Sequence, residues 1–232
     1  AFLVFITWNG LTTWWISYAT FLGAVMAIVT NSFLMSLVWW LAHTARRFFK
    51  ANLGYVALVV FWISFEFFHF HWDIEWPWLT LGNGFANNVK MIQWFEFTGT
   101  LGGSLWILMM NILLFNIIQN LRQRAGFRGL FYLVTGYIIL LIGPIFFSLS
   151  LYNNYSEKVN PLEVVVLQPN VDPYSESFDR AAENAKLDNL IRLAKSKAGN
   201  ETDLIIGPET IFESSLDWDE ARLHNNFHYQ RL

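Results

Sequence analysis

Apolar residues fall in long, nearly unbroken blocks over the first 150 positions and in short blocks at strand and helix spacing after that. Phe21–Ala42 is long enough to cross a bilayer as a helix and ends in His43-Thr44-Ala45-Arg46-Arg47-Phe48-Phe49-Lys50. Leu53–Phe68 is a shorter block that leads into an aromatic, polar loop. Leu101–Ile118 is closed by Arg122, Arg124 and Arg128, and Leu130–Leu149 is followed by Tyr152-Asn153-Asn154-Tyr155. The pattern predicts four spans, about 21–42, 53–68, 101–118 and 130–149. Residues 1–7, apolar but too short to cross, read as the tail of an earlier span. With no Met and no basic leader at the start, the chain reads as a fragment of a longer protein.

Beyond Asn160-Pro161 the period changes. Leu162–Leu167 predicts a mostly buried strand and Gln168–Ser177 a loop. Phe178–Ala198 predicts an amphipathic helix with an apolar stripe at Phe178, Ala181, Ala182, Ala185, Leu190, Ile191, Ala194 and Ala198. Ser177 suits its N-cap and Gly199 its stop. Asp203–Gly207 predicts a second strand. Strand, helix, strand implies a parallel pair with a crossover helix. The expected domains are 1–158, a transmembrane helical domain, and 159–232, the start of a water-facing α/β domain.

Charge sharpens this division. Residues 1–150 hold seven Lys/Arg and four Asp/Glu, a net +3; residues 151–232 hold eight and fourteen, a net −6. An acidic soluble half argues against nucleic acid, which needs a basic face. The basic clusters follow the first and third spans, so the positive-inside rule puts residues 43–50 and 120–129 in the cytoplasm. The 69–100 loop and everything after residue 150 then lie on the far side. Trp14, Trp15 and Tyr18 precede the first span as an outer aromatic belt. The sequence has no cysteine, hence no disulfide, thiolate metal site or thiol nucleophile of its own.

Four features invite chemistry. Glu209 follows the strand Leu204-Ile205-Ile206 and Pro208: it is either a general base or acid held at a sheet end or a surface carboxylate after a proline turn. Glu66 lies near the end of its span, either buried toward the bundle interior or sitting among headgroups. Trp76-Pro77-Trp78 breaks the helix and either shapes an acyl-chain entrance or anchors the chain at the interface. His69-Phe70-His71-Trp72-Asp73-Ile74-Glu75 would put four polar groups on one face if extended, a metal set, but also suits a plain interfacial loop. Thr98–Ser104 opens the third span with small residues, which would let helices approach closely.

Taken in order, Glu66, the Trp76–Leu79 loop, Gln93–Gly99, Gly102, Gly103, Ser104, Asn111, Val164–Val171 and Leu204–Glu209 closely resemble the apolipoprotein N-acyltransferase family. That resemblance implies an α-helical membrane bundle followed by the first β-α-β part of an αββα nitrilase-like sandwich in the bacterial inner membrane, facing the periplasm. It implies a Glu-Lys-Cys triad that takes an acyl chain from a phospholipid as a thioester. The chain then passes to the α-amino group of a diacylglyceryl-cysteine on a lipoprotein. Glu209 matches the family's base, and Phe178 falls where relatives often have a Trp near the acyl site. Trp76, Trp78, Phe178 and Glu66 are the expected substrate-binding residues. No cofactor and no metal is implied, and a monomer is expected. The sequence departs from the pattern in having no cysteine and no lysine after Lys197, so these residues alone hold one member of the triad and are expected to be inactive by themselves. His69 stands where relatives often carry Arg. Two other readings remain at this stage: a membrane-tethered carbon–nitrogen hydrolase acting on a soluble amide, and a non-catalytic membrane scaffold.

Overall fold

The structure, a computed structural model, describes residues 1–49, 51–73, 75–124, 126–157, 160–170 and 180–208. The chain divides into two compact units, Ala1–Ser156 and Glu157–Leu232.

The first unit is a helical bundle. Helix α1 (Phe2–Thr13) passes through a 3-10 turn at Trp14–Tyr18 into α2 (Phe21–Phe48), α3 (Ala51–His69), α4 (Phe95–Arg122) and α5 (Phe127–Asn154). Each helix outruns its apolar block, because backbone hydrogen bonding continues into the polar ends where apolar counting stops. The stretch 1–7 is likewise the start of a longer helix. Helices α2, α4 and α5 are long and apolar enough to cross a membrane. At ~1.5 Å per residue each reaches about 42 Å against a hydrocarbon core of about 30 Å. The apolar part of α3, Leu53–His69, is shorter.

The bundle interior is small: Phe5, Met35, Val38, Trp62 and Leu108 form the buried cluster, flanked by Trp8, Ile63 and Leu81. The apolar window of α5 contains no buried residue, so its outward surface requires lipid, not water. Two asparagines inside the bundle are paired. Asn31 Nδ2 donates to Asn9 Oδ1 at 2.7 Å, and Asn9 Nδ2 donates to the Phe5 carbonyl at 2.9 Å. Pro144 has no N–H to give the Leu140 carbonyl one turn earlier in α5. The indole Nε1 of Trp106 on α4 donates to that carbonyl instead, at 2.7 Å. In a lipid environment an orphan carbonyl costs several kcal/mol, so this bond both satisfies the proline gap and ties α4 to α5.

The two basic clusters share one end of the bundle. Arg46, in the last turn of α2, lies 5.2 Å over the Tyr55 ring of α3. The Tyr55 hydroxyl reaches Asn116 Oδ1 of α4 at 3.5 Å, and α4 ends at Arg122. The opposite end carries the loop between α3 and α4, built from 3-10 turns at Pro77–Leu79, Leu81–Phe85 and Val89–Met91.

In the second unit, β1 (Val164–Val166) pairs in parallel with β2 (Leu204–Ile206), in the register Val164↔Leu204, Val165↔Ile205, Val166↔Ile206. Helix α6 (Arg180–Lys197) lies between them in sequence, as a parallel crossover requires. Asp203 Oδ2 accepts the Glu163 N–H at 2.8 Å and fixes the start of the pairing. Two expectations are corrected. The strands are largely exposed, with Val166 at 69% and Ile205 at 45%, because nothing among the described residues covers the sheet. Among the described side chains of α6, Leu190 of the expected stripe is buried and Ile191 and Ala194 are half-buried, but Leu187, outside that stripe, is buried as well and Ala185, within it, is exposed.

Candidate functional site

The site forms where α3 ends and the chain turns back. Trp62, Glu66 and His69 lie on one face of α3, at steps of four and three. Glu66 is 3% exposed. Its Oε1 accepts the Trp62 indole N–H at 2.9 Å and the Leu81 backbone N–H at 2.9 Å. Oε2 is buried and has no hydrogen-bond partner among the described residues, with the Ser104 hydroxyl facing the same carboxylate. The next loop amide is held too: Gly82 N–H donates to Ser104 Oγ of α4 at 2.9 Å. Further along, Trp94 N–H donates to Ser148 Oγ of α5 at 3.3 Å. Three buried side-chain oxygens on three helices therefore take three backbone N–H groups of one loop.

Local sequence explains why the loop can come so close. Pro77 ends regular helix, and its carbonyl collects the Thr80 hydroxyl at 2.9 Å and Asn83 Nδ2 at 2.8 Å, which closes a tight turn. A Cβ on Gly82 would collide with the Thr100 carbonyl oxygen, and one on Gly103 with the Phe95 ring. The small residues of α4 thus admit a loop backbone, where the sequence suggested helix against helix. At Gly99 the backbone takes φ 63°, ψ −171°, a conformation nearly confined to glycine, and α4 is kinked there.

Trp76 and Trp78 meet edge to face at 5.1 Å, and Trp78 meets Trp15 at 6.4 Å. Trp78 is 55% exposed, so the aromatic belt at Trp14 and Trp15 and the loop tryptophan form one outward surface. The series His69–Glu75 is not extended: His69 ends α3, and His71 lies in the turn after it, its Nδ1 2.7 Å from the Phe67 carbonyl. The premise of a shared strand face therefore fails. His69 packs against Phe65 and Trp72. Ile74 lies outside the described residues, as do the expected site residues Phe178 and Glu209 and the cap Ser177. Among the described residues no three His, Asp or Glu side chains gather as a metal set.

Two hollows adjoin the loop. One, of about 10 Å³, is lined by Asn31, Glu66, His69, Trp76 and Thr80 among others. It has room for about one water, and its polar lining suits one. The other is an open groove of about 420 Å³ between α4 and α5, walled by Trp94, Phe97, Pro144 and Phe147. Its chemistry is apolar contact alone. Sequence reading passed over Asn31 and Ser148; the available signal was a polar residue inside a membrane-length apolar block, which is costly unless it has a partner.

Bundle, lipid-requiring surface and interfacial aromatic loop define a multi-pass membrane protein. Residues 1–113 match the family described as apolipoprotein N-acyltransferase N-terminal domain, the family that the ordered motifs resemble. The chain is 28% identical over 202 residues to the apolipoprotein N-acyltransferase of Chlorobaculum tepidum, covering 85% of this chain and 37% of the relative. It is 24% identical over 210 residues to that of Geobacter metallireducens, covering 87% and 40%. The chain thus spans about two fifths of the length of these curated relatives. No solved structure matches it.

Proposed function

We propose that these residues serve an apolipoprotein N-acyltransferase, in which the membrane bundle presents a phospholipid acyl donor to a nitrilase-like αββα domain begun by β1, α6 and β2. One observation carries the reading. The residues matched by the N-acyltransferase domain include those that build the clamped tryptophan loop: Glu66, Trp76, Trp78, Gly82 and Ser104. A rigid aromatic surface at the interfacial end of a bundle is suited to meeting a lipid.

In this reading residues after about 150 face the periplasm, the bundle lies in the inner membrane with four spans, and the protein is a monomer. Glu209 takes the proton of a cysteine thiol. The thiolate attacks the ester carbonyl of the phospholipid; a thioester forms, the ester C–O bond breaks, and the lysophospholipid alcohol leaves with a proton. The α-amino group of a diacylglyceryl-cysteine then attacks the thioester, forming the amide and releasing the thiol. A lysine stabilises the oxyanion in both steps. The sequence holds neither that cysteine nor a lysine after Lys197, and the proposal assigns both roles to residues outside these 232. Trp76, Trp78 and Phe178 are the lipid-facing side chains, and Glu66 acts on the loop that carries the first two.

The test uses the whole reading frame that encodes these residues, purified into phospholipid nanodiscs with a diacylglyceryl peptide acceptor. Acylation of the peptide amine that depends on phospholipid supports the proposal. Turnover of a soluble amide with no lipid dependence would replace it with a tethered hydrolase, and no turnover with either would leave a scaffold.

A further inference from the structure

We propose that Glu66, Ser104 and Ser148 are positioning residues. Together they form a three-point clamp that holds the 76–94 loop against the bundle so that Trp78 is presented to an acyl-donor lipid. The lipid role of Trp78 rests on the function proposed above; the clamp itself rests on geometry alone.

The three oxygens share features that a chance set of contacts would not. Each is buried, with Glu66 at 3% and both serines at 0% exposure. Each comes from a different helix, and each receives a loop backbone N–H, from Leu81, Gly82 and Trp94 respectively. The first two amides are consecutive, so α3 and α4 hold adjacent residues of the loop. A carboxylate so enclosed has no surface to offer a bulky substrate. Its Oε1 is taken by Trp62 and Leu81, and the hollow that Glu66 helps to line is about 10 Å³, enough for about one water and far too small for a headgroup. Trp78, three residues before Leu81, is by contrast half-exposed and meets Trp15 edge to face. Glu66 therefore acts through the loop.

The test places a spin label at Gly84→Cys, where an added Cβ meets nothing within 4 Å, and a control label at Gly136→Cys in α5, which is equally open. These 232 residues hold no cysteine, and in the whole reading frame the cysteine that the proposed mechanism requires is replaced by Ala in every labelled variant. In nanodiscs containing a phosphatidylethanolamine with a diazirine-bearing acyl chain, two quantities are read: label mobility at Gly84 and photo-crosslinking of lipid to the peptide holding Trp76 and Trp78. Wild type should show a slow, restricted label and crosslinking. Glu66→Ala and Ser104→Ala should each release the label into nanosecond motion. Losing one such bond shifts the docked population about ten-fold, and crosslinking should fall in proportion. Glu66→Gln, which keeps the Oε1 acceptor, should preserve both signals. The control label should stay unchanged in every variant that is folded, and Ser104→Ala, the milder change, carries the test if Glu66→Ala does not fold. A restricted Gly84 label in folded Glu66→Ala or Ser104→Ala overturns the clamp; if crosslinking is lost there as well, Glu66 touches the lipid directly. Released labels in the variants together with no crosslinking in wild type would keep the clamp and remove the lipid-facing role of Trp78.

Discussion

Glu66 on α3 and Leu81 in the following loop are fifteen positions apart in sequence, yet the Leu81 N–H lies 2.9 Å from Glu66 Oε1. A carboxylate inside a lipid-facing bundle is costly, and a loop amide buried there is costly too. Each offsets the other. Removing the carboxylate would strand a buried N–H, at about 1–3 kcal/mol.

The close approach behind that bond predicts a contrast between two glycines of one turn. Gly82→Ala should destabilise the bundle by about 1–3 kcal/mol, because the new Cβ meets the Thr100 carbonyl oxygen, a backbone atom with no rotamer to change. Gly84→Ala, two residues on, meets nothing within 4 Å and should be close to neutral. Thermal unfolding of both variants in one detergent checks this, and equal midpoints would contradict the packing described.

Orientation follows from the shared end of the basic clusters. Arg46 and Arg47 lie in the last turn of α2 and Arg122 in that of α4, at the end marked by the Arg46–Tyr55–Asn116 contacts. The positive-inside rule predicts that this end faces the cytoplasm. A single cysteine at position 47 should resist a membrane-impermeant reagent applied to intact spheroplasts, and one at position 209 should react. The reverse pattern would invert the topology.

The exposed two-stranded sheet predicts that residues 157–232 do not fold cooperatively in isolation. Parallel strands are stable when covered on both faces, yet Val166 and Leu204–Ile206 stand open among the described residues. A well-dispersed amide spectrum from that segment by itself, with a sharp thermal transition, would refute this.

Glu209→Gln, made in the whole reading frame, should nearly abolish acyl transfer while expression and membrane insertion stay normal. The amide keeps the size of the side chain and one acceptor oxygen but cannot take a proton, and positioned acid–base groups contribute about 10²–10⁴-fold in rate. Thioester should also fail to accumulate when phospholipid is supplied. Normal thioester formation by the variant would remove Glu209 from the mechanism.

Much of this was determined by the linear sequence alone. Blocks of about twenty apolar residues identify the helices, because length and hydropathy are local properties that a bilayer reads directly. The parallel β-α-β order followed from a change of period, and the resemblance to the apolipoprotein N-acyltransferases from an ordered set of motifs. What the sequence by itself did not determine is what each polar residue touches. Nothing in Thr98–Ser104 says that its small face admits the Gly82 backbone and not another helix. The ambiguity at Glu66, buried inside or sitting among headgroups, was settled by the Leu81 N–H arriving from the next loop. Ser148 and Asn31 acquired meaning only through partners 54 and 22 positions away. A hydrogen bond in a lipid-embedded interior is a relation between distant segments, and its geometry exists only once the helices have packed.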